Sequence, residues 1–132
     1  MLYTFEISTS RREELIDITK YVTDSVKKSG IRDGIVVVYS PHTTTAITVN
    51  ENADPDVKRD ILNFLSHKVP KNWGFAHIEG NSDAHIKSSI IGCSETFIIE
   101  NGALVLGTWQ GILFCEFDGP RRRKFFVKIL KN

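Results

Sequence analysis

Over residues 2–7, Tyr3, Phe5 and Ile7 alternate with Thr4 and Glu6, the period of two that a half-buried strand requires. A second short strand is expected around residues 15–18. Tyr21, Val22, Ser25 and Val26 then give a narrow helical stripe over residues 20–29, with Thr19 placed to cap its start and Gly30 to end it in a left-handed turn. Ile35 to Val38 are consecutive, β-branched and apolar, so residues 34–39 read as a central strand. Pro41 breaks that strand. Alternation resumes over residues 44–49, where Ala46 and Thr48 oppose Ile47 and Val49.

Asp54-Pro55-Asp56 is the clearest helix start: an acceptor at the cap, proline at the first helical position and a further carboxylate in the first turn. Val57, Ile61, Phe64 and Leu65 recur at helical spacing until Pro70. Residues 71–82 read as loop, after which Asp83 is placed to cap a short helix carrying Ile86, Ile90 and Ile91 and ended by Gly92. The remainder reads as strands over residues 96–100, 103–106, 112–118 and 124–130, the first two joined by an Asn101-Gly102 turn. This order predicts an α+β fold: one compact domain over residues 1–132, mainly antiparallel sheet or sandwich, with two or three short helices. No internal repeat or low-complexity tract interrupts it.

Composition narrows the classes. With 132 residues, 41% of them hydrophobic, the chain can bury a core of its own, and a net charge of +1 supplies no global field toward nucleic acid or an anionic membrane. The local run Arg121-Arg122-Arg123-Lys124 lacks the interleaved aromatics of a nucleic-acid surface. The N-terminus has no basic segment followed by an apolar core, no apolar run nears the roughly 20 residues of a membrane span, and a cytoplasmic location is expected. Cys93 and Cys115 are far apart in apolar surroundings, which favours small buried side chains over a disulfide or a metal knuckle.

Candidate chemistry concentrates between His77 and His85. His77-Ile78-Glu79-Gly80-Asn81-Ser82-Asp83-Ala84-His85 holds two imidazoles, two carboxylates and a carboxamide, and His42 stands upstream at the Pro41 break. A catalytic zinc site uses three protein ligands and one open position, which His42, His77 and His85 would supply if their loops converge, with Glu79, Asn81 and Asp83 close enough to orient them. The spacing is no standard metal signature, and isolated histidines are more often core or surface residues. His67, near a helix end, suits the helix dipole instead.

Glu116 and Asp118, two apart on a strand, leave the same face as an acid/base pair or magnesium anchor, or simply as a polar outer face. Arg121 and Arg123 form a candidate phosphate clamp, and equally a charged strand end that discourages edge pairing. Glu51 and Asn52 have no capping duty before Asp54 and are weaker candidates. In Gly107-Thr108-Trp109-Gln110-Gly111, Trp109 suits the core and Gln110 could orient a ligand or water.

Together, Ser40-Pro41-His42-Thr43-Thr44, residues 50–56, residues 79–87 and the stretch from Leu106 to Arg123 resemble the YjbQ-like family, whose members often carry the label of secondary thiamine-phosphate synthase. The resemblance implies a compact α+β fold, assembly as a homo-oligomer with the trimer favoured, and a metal-linked pocket near His42, His77 and His85. It also implies a divalent cofactor, zinc or magnesium, and a small phosphorylated metabolite as partner. On that reading Arg121 and Arg123 hold phosphates, while Glu116, Asp118 and Gln110 handle protons, a metal-bound water or substrate orientation. The same residues would serve a metal-dependent phosphate-ester hydrolase. A non-catalytic ligand-binding or assembly protein with a structural ion is the reading from another class.

Overall fold

The alternating segments pair into two antiparallel sheets in the computed structural model of the protein, which describes residues 1–132. In chain order the elements are β1 (Leu2–Ser8), β2 (Glu14–Asp17), α1 (Thr19–Ser29), β3 (Gly34–Tyr39), β4 (Thr45–Glu51), α2 (Pro55–Lys68), α3 (Ser82–Ile91), β5 (Ser94–Glu100), β6 (Ala103–Leu104), β7 (Gln110–Glu116) and β8 (Arg122–Lys131). The larger sheet runs β1-β8-β3-β5-β6 and the smaller β2-β7-β4. Their facing sides, with α1 closing one end through Ile18, Val22 and Val26, enclose the main core around Val36, Val38, Ile47, Phe114, Phe125 and Val127. A second core, with Leu15, Ala46, Leu65, Ala84, Leu113, Cys115 and Phe117, lies between the smaller sheet and the helices α2 and α3. From Gly111 onward β7 is therefore buried on both faces.

Several local expectations change. Thr19 is the first residue of α1 rather than its cap; the Asp17 carboxylate accepts the Thr19 N–H at 3.0 Å and the Thr19 hydroxyl at 2.6 Å. Asp54 caps α2 as expected, accepting from the Asp56 N–H at 2.9 Å, but Phe64 faces solvent and only Leu65 is fully inside. Trp109 is exposed rather than core, and Cys93 is exposed while Cys115 is buried.

The largest difference is the face that α3 buries. Its periodicity points to Ile86, Ile90 and Ile91 as the inner stripe, yet Asp83, Ala84, Lys87 and Ser88 are inside, and Ile86 and Ile90 are exposed. Nor does Asp83 cap the helix: Asn81 occupies the cap position. The reason lies on the β1–β2 connection, where Arg12 donates to both Asp83 oxygens at 3.0 and 3.1 Å. Lys87 bridges Asp83 at 3.1 Å and Glu13 at 2.8 Å, and Glu13 also accepts from the Ser66 hydroxyl of α2 at 2.9 Å. Buried charges are tolerable when paired and hydrogen-bonded, and this set is closed on itself.

Candidate functional site

Glu116 ends β7 under a sharp return into β8. Gly119 is required there by space, since a Cβ would stand 2.3 Å from the Arg11 carbonyl oxygen and 2.7 Å from the Thr9 hydroxyl. The return drops Arg123 onto Glu116. Arg123 Nε donates to Oε1 at 2.8 Å, Nη2 donates to Oε2, and Nη2 also reaches the Thr44 hydroxyl at 2.8 Å. The Thr9 hydroxyl at 2.7 Å and the Asp118 N–H at 3.0 Å complete the carboxylate's hydrogen bonds. Glu116 thus stands in the interior as the partner of Arg123, not on a wet outer face.

Asp118 makes the second pair. Its carboxylate accepts from Arg121 Nη2 at 2.9 Å and from the Asn81 carboxamide at 2.9 Å, while its carbonyl accepts from Arg121 Nε at 2.9 Å. In both arginines Nε and Nη2 are pinned and Nη1 has no partner in the chain. Asn81 fastens the start of α3 to this corner, and its side-chain carbonyl oxygen Oδ1 is buried without a donor.

His42 sits at the break between β3 and β4, where its Nε2 accepts the Lys124 N–H at 2.9 Å. Burial, with Arg123 next, holds this imidazole below the usual histidine range. It is therefore neutral at pH 7, and with Nε2 accepting, Nδ1 carries the proton and is a donor. His77 and His85 meet edge to face with ring centroids 5.5 Å apart, and Glu79 stands 3.9 Å from His77 Nε2.

These groups frame a cavity of about 340 Å³ lined by Pro41, His42, Thr43, Thr44, Glu79, Asn81, His85, Asp118, Arg121 and Arg123. Apart from the proline ring, none of these side chains is a hydrocarbon. His77 and His85 are the two imidazoles in mutual contact at this corner, and they would be the residues to hold a divalent ion. His42 is engaged with the backbone instead, and no group of three or more histidine, cysteine or acidic side chains converges on one point. An ion at the pair would draw its remaining ligands from water or a bound molecule.

The other sequence candidates lie elsewhere. Gln110 and Glu51 are cross-strand neighbours at the opposite end of the β4–β7 ladder from Thr45 and Glu116. Six residue steps of strand put them roughly 20 Å from the cavity. Gln110 accepts the Gly107 N–H at 2.8 Å and braces a turn, and Asn52 donates to Asp17 at 2.6 Å. Asp83 is held in the closed ionic cluster under α3. Thr44 escaped the sequence reading as a site residue; its signal was the hydroxyl run Thr43-Thr44-Thr45 at a strand break beside a histidine.

Fold and site together define a small α+β domain of two antiparallel sheets with a polar, arginine- and histidine-lined cavity at one end. The family model for UPF0047, YjbQ-like proteins matches residues 3–132, and the chain belongs to that family. A UPF0047 protein of Methanocaldococcus jannaschii is 64% identical over 130 residues, covering 98% of this chain and 94% of that one. YugU of Bacillus subtilis is 51% identical over 133 residues, covering 98% and 99%. Among solved structures, a YjbQ/UPF0047 family protein of Clostridium acetobutylicum superposes with a TM-score of 0.96 at 57% identity, covering 97% of this chain and 99% of that one. A YbjQ-like protein of Sulfolobus solfataricus, described as of unknown function, gives 0.97 at 36% identity, covering 100% and 97%.

Proposed function

We propose that the cavity binds a small phosphorylated metabolite with the help of a divalent ion, zinc or magnesium, at His77 and His85, and that the reaction it serves is diphosphate displacement of the thiamine-phosphate synthase type. The observation that carries this reading is the pair of guanidiniums, each pinned through Nε and Nη2 and each with Nη1 free, lining a cavity of about 340 Å³. Arginines fixed in this way are pre-organised for phosphate oxygens and lose little freedom on binding.

Charge balance argues for the ion. Arg121 and Arg123 line the cavity with Glu79 and Asp118, and Glu116 lies directly behind Arg123, so the acids outnumber the bases by one. A phosphate would enter against that excess. A divalent ion reverses it and, when bound, supplies positive charge to phosphoryl oxygens. The neutral His42 offers Nδ1–H as a further donor.

In the proposed reaction the thiazole phosphate attacks the methylene carbon of the pyrimidine diphosphate, the carbon–oxygen bond to diphosphate breaks, and diphosphate leaves with the bonding electrons. The leaving group needs neutralisation rather than a protein nucleophile, which accords with a Glu116 fully occupied by Arg123. Pyrophosphate release from the two purified substrates should require an added divalent ion and fall with His85→Ala. Turnover unchanged in chelator would remove the ion from the scheme; no turnover and no thermal stabilisation by pyrophosphate would remove the phosphate reading itself.

The same reading takes the chain as a homo-oligomer, the trimer favoured. The outer face of the larger sheet supports it, with Ile35, Tyr39, Ile98 and Leu130 exposed on neighbouring strands. Light scattering of the purified protein decides the mass, and a monomer at micromolar concentration would end that part.

A further inference from the structure

We propose that the phosphate cavity is one lobe of a longer groove, and that its second lobe receives the uncharged organic body of a phosphate ester. The inference rests on the phosphate reading above and extends it to the part of the ligand that carries no phosphate. An adjoining cavity of about 540 Å³ is lined by Ser88, Ser89, Gly92 and Cys93 together with His42, Thr43 and His85. The last three also line the phosphate cavity, so the two spaces meet at a waist flanked by the imidazoles. The second lobe is the larger, which suits an organic body bigger than its phosphate head.

Its chemistry differs from that of the first lobe. No carboxylate, lysine or arginine lines it. The Ser88 hydroxyl donates to the Thr45 carbonyl and the Ser89 hydroxyl to the His85 carbonyl at 2.9 Å, so both protons are committed. Each serine oxygen is left with lone pairs to offer, while the Thr43 hydroxyl, the Cys93 thiol and the His42 Nδ1–H can donate, so the lining is polar, uncharged and able to pair with either kind of group. A Cβ built on Gly92 meets nothing within 4 Å, which leaves that side open. Cys93, exposed, supplies a thiol on the same wall. A charged body would find no carboxylate, lysine or arginine to pair with in this lobe and is disfavoured.

Cys93 also provides the readout. Cys115 is buried with its thiol pushed up to about 12, so alkylation of the native protein reports Cys93 alone. The probes are inorganic phosphate, ribose 5-phosphate and cytidine 5′-monophosphate, each with and without manganese. At least one organic phosphate should bind ten times more tightly than inorganic phosphate and slow iodoacetamide labelling of Cys93 at least fivefold at saturation, while saturating inorganic phosphate changes the rate less than twofold. Ser89→Trp, an exposed substitution that fills the lobe, should erase the preference and leave inorganic phosphate binding as it was; its thermal midpoint checks the fold. If inorganic phosphate binds but neither ester is tighter or protects Cys93 better, the second lobe is overturned and the phosphate cavity stands. If no probe binds in either condition, the phosphate reading fails first and the lobe falls with it.

Discussion

Two ionic networks lie on either side of the start of α3, built from the same residue types to opposite ends. In one, Arg12, Asp83, Lys87 and Glu13 consume one another's charges, and Asp83 and Lys87 are 0% and 1% exposed. In the other, Arg121 with Asp118 and Arg123 with Glu116 are also paired, but each guanidinium keeps Nη1 free beside a cavity. The first is a joint between the β1–β2 connection and two helices; the second borders the polar cavity at one end of the domain. Charge pairing alone therefore does not mark a site. What distinguishes the second network is the polar cavity that both of its arginines line.

The sharpest way to break the comparison is to remove one partner from each network. Asp83→Ala takes both side-chain hydrogen bonds from the partly exposed Arg12 and leaves the buried Lys87 with Glu13 alone, so the cost should sit near the lower end of the range of about 3–5 kcal/mol for a broken buried pair. For a domain of this size the thermal midpoint should fall by roughly 10–20 °C. Asp118→Asn, whose arginine partner is half exposed, should lose no more than about 1 kcal/mol. Equal losses measured by urea denaturation would mean that the networks are not different in kind.

Ligand binding should respond in reverse. Arg121→Ala is expected to weaken pyrophosphate binding tenfold or more, about 1.4 kcal/mol, with little change in stability. His85→Ala should abolish stabilisation by zinc or manganese and, through the charge balance of the cavity, weaken pyrophosphate only when the ion is present. Calorimetric titration of both variants, with and without ion, checks this. An Arg121→Ala protein that binds pyrophosphate like the parent would make the second network as purely structural as the first.

How far the sequence revealed these regions differs in the same way. The proximity of His77 to His85, the break at His42 and the arginines after Gly119 are legible, because each sits beside a turn signal that sequence displays directly. The expected convergence of His42 on the other two imidazoles does not form, because its Nε2 is taken by the Lys124 N–H of β8. The strands were legible for a similar reason: alternation and β-branching are local. Asp83 is not legible as an inner residue because helical periodicity assumes an apolar inner face, whereas α3 meets Arg12 and Glu13 from a segment some seventy positions earlier. Nothing local in Ser82–Ile91 announces that partner. Chemical type groups Gln110, Glu51 and Asn52 with the site, yet the antiparallel ladder that puts Glu116 beside the cavity carries Gln110 to its far end.

The smallest effect expected is one of pH, and it separates the networks by where it falls. His42 is held below its usual 6.5 by burial and by Arg123, so the unfolded chain binds the extra proton more readily than the folded one. Its contribution to stability is complete above about pH 6.5 and is lost as pH drops from there through the folded value. Asp83 is held below 3.8 by Arg12 and Lys87, which outweigh its burial, so its contribution survives until the medium is far more acidic. A stability curve should therefore show a shallow decline below about pH 6.5 and a steeper one below about pH 3.8, and His42→Gln should flatten only the first. Sulfate, which does not titrate in this range, should bind more tightly in the first window, because protonation of His42 adds positive charge to the cavity while costing the Lys124 N–H its acceptor. Stability falling while anion affinity rises is the signature of a charge exchanged between fold and ligand. If both fall together, His42 belongs with the closed network and not with the open one.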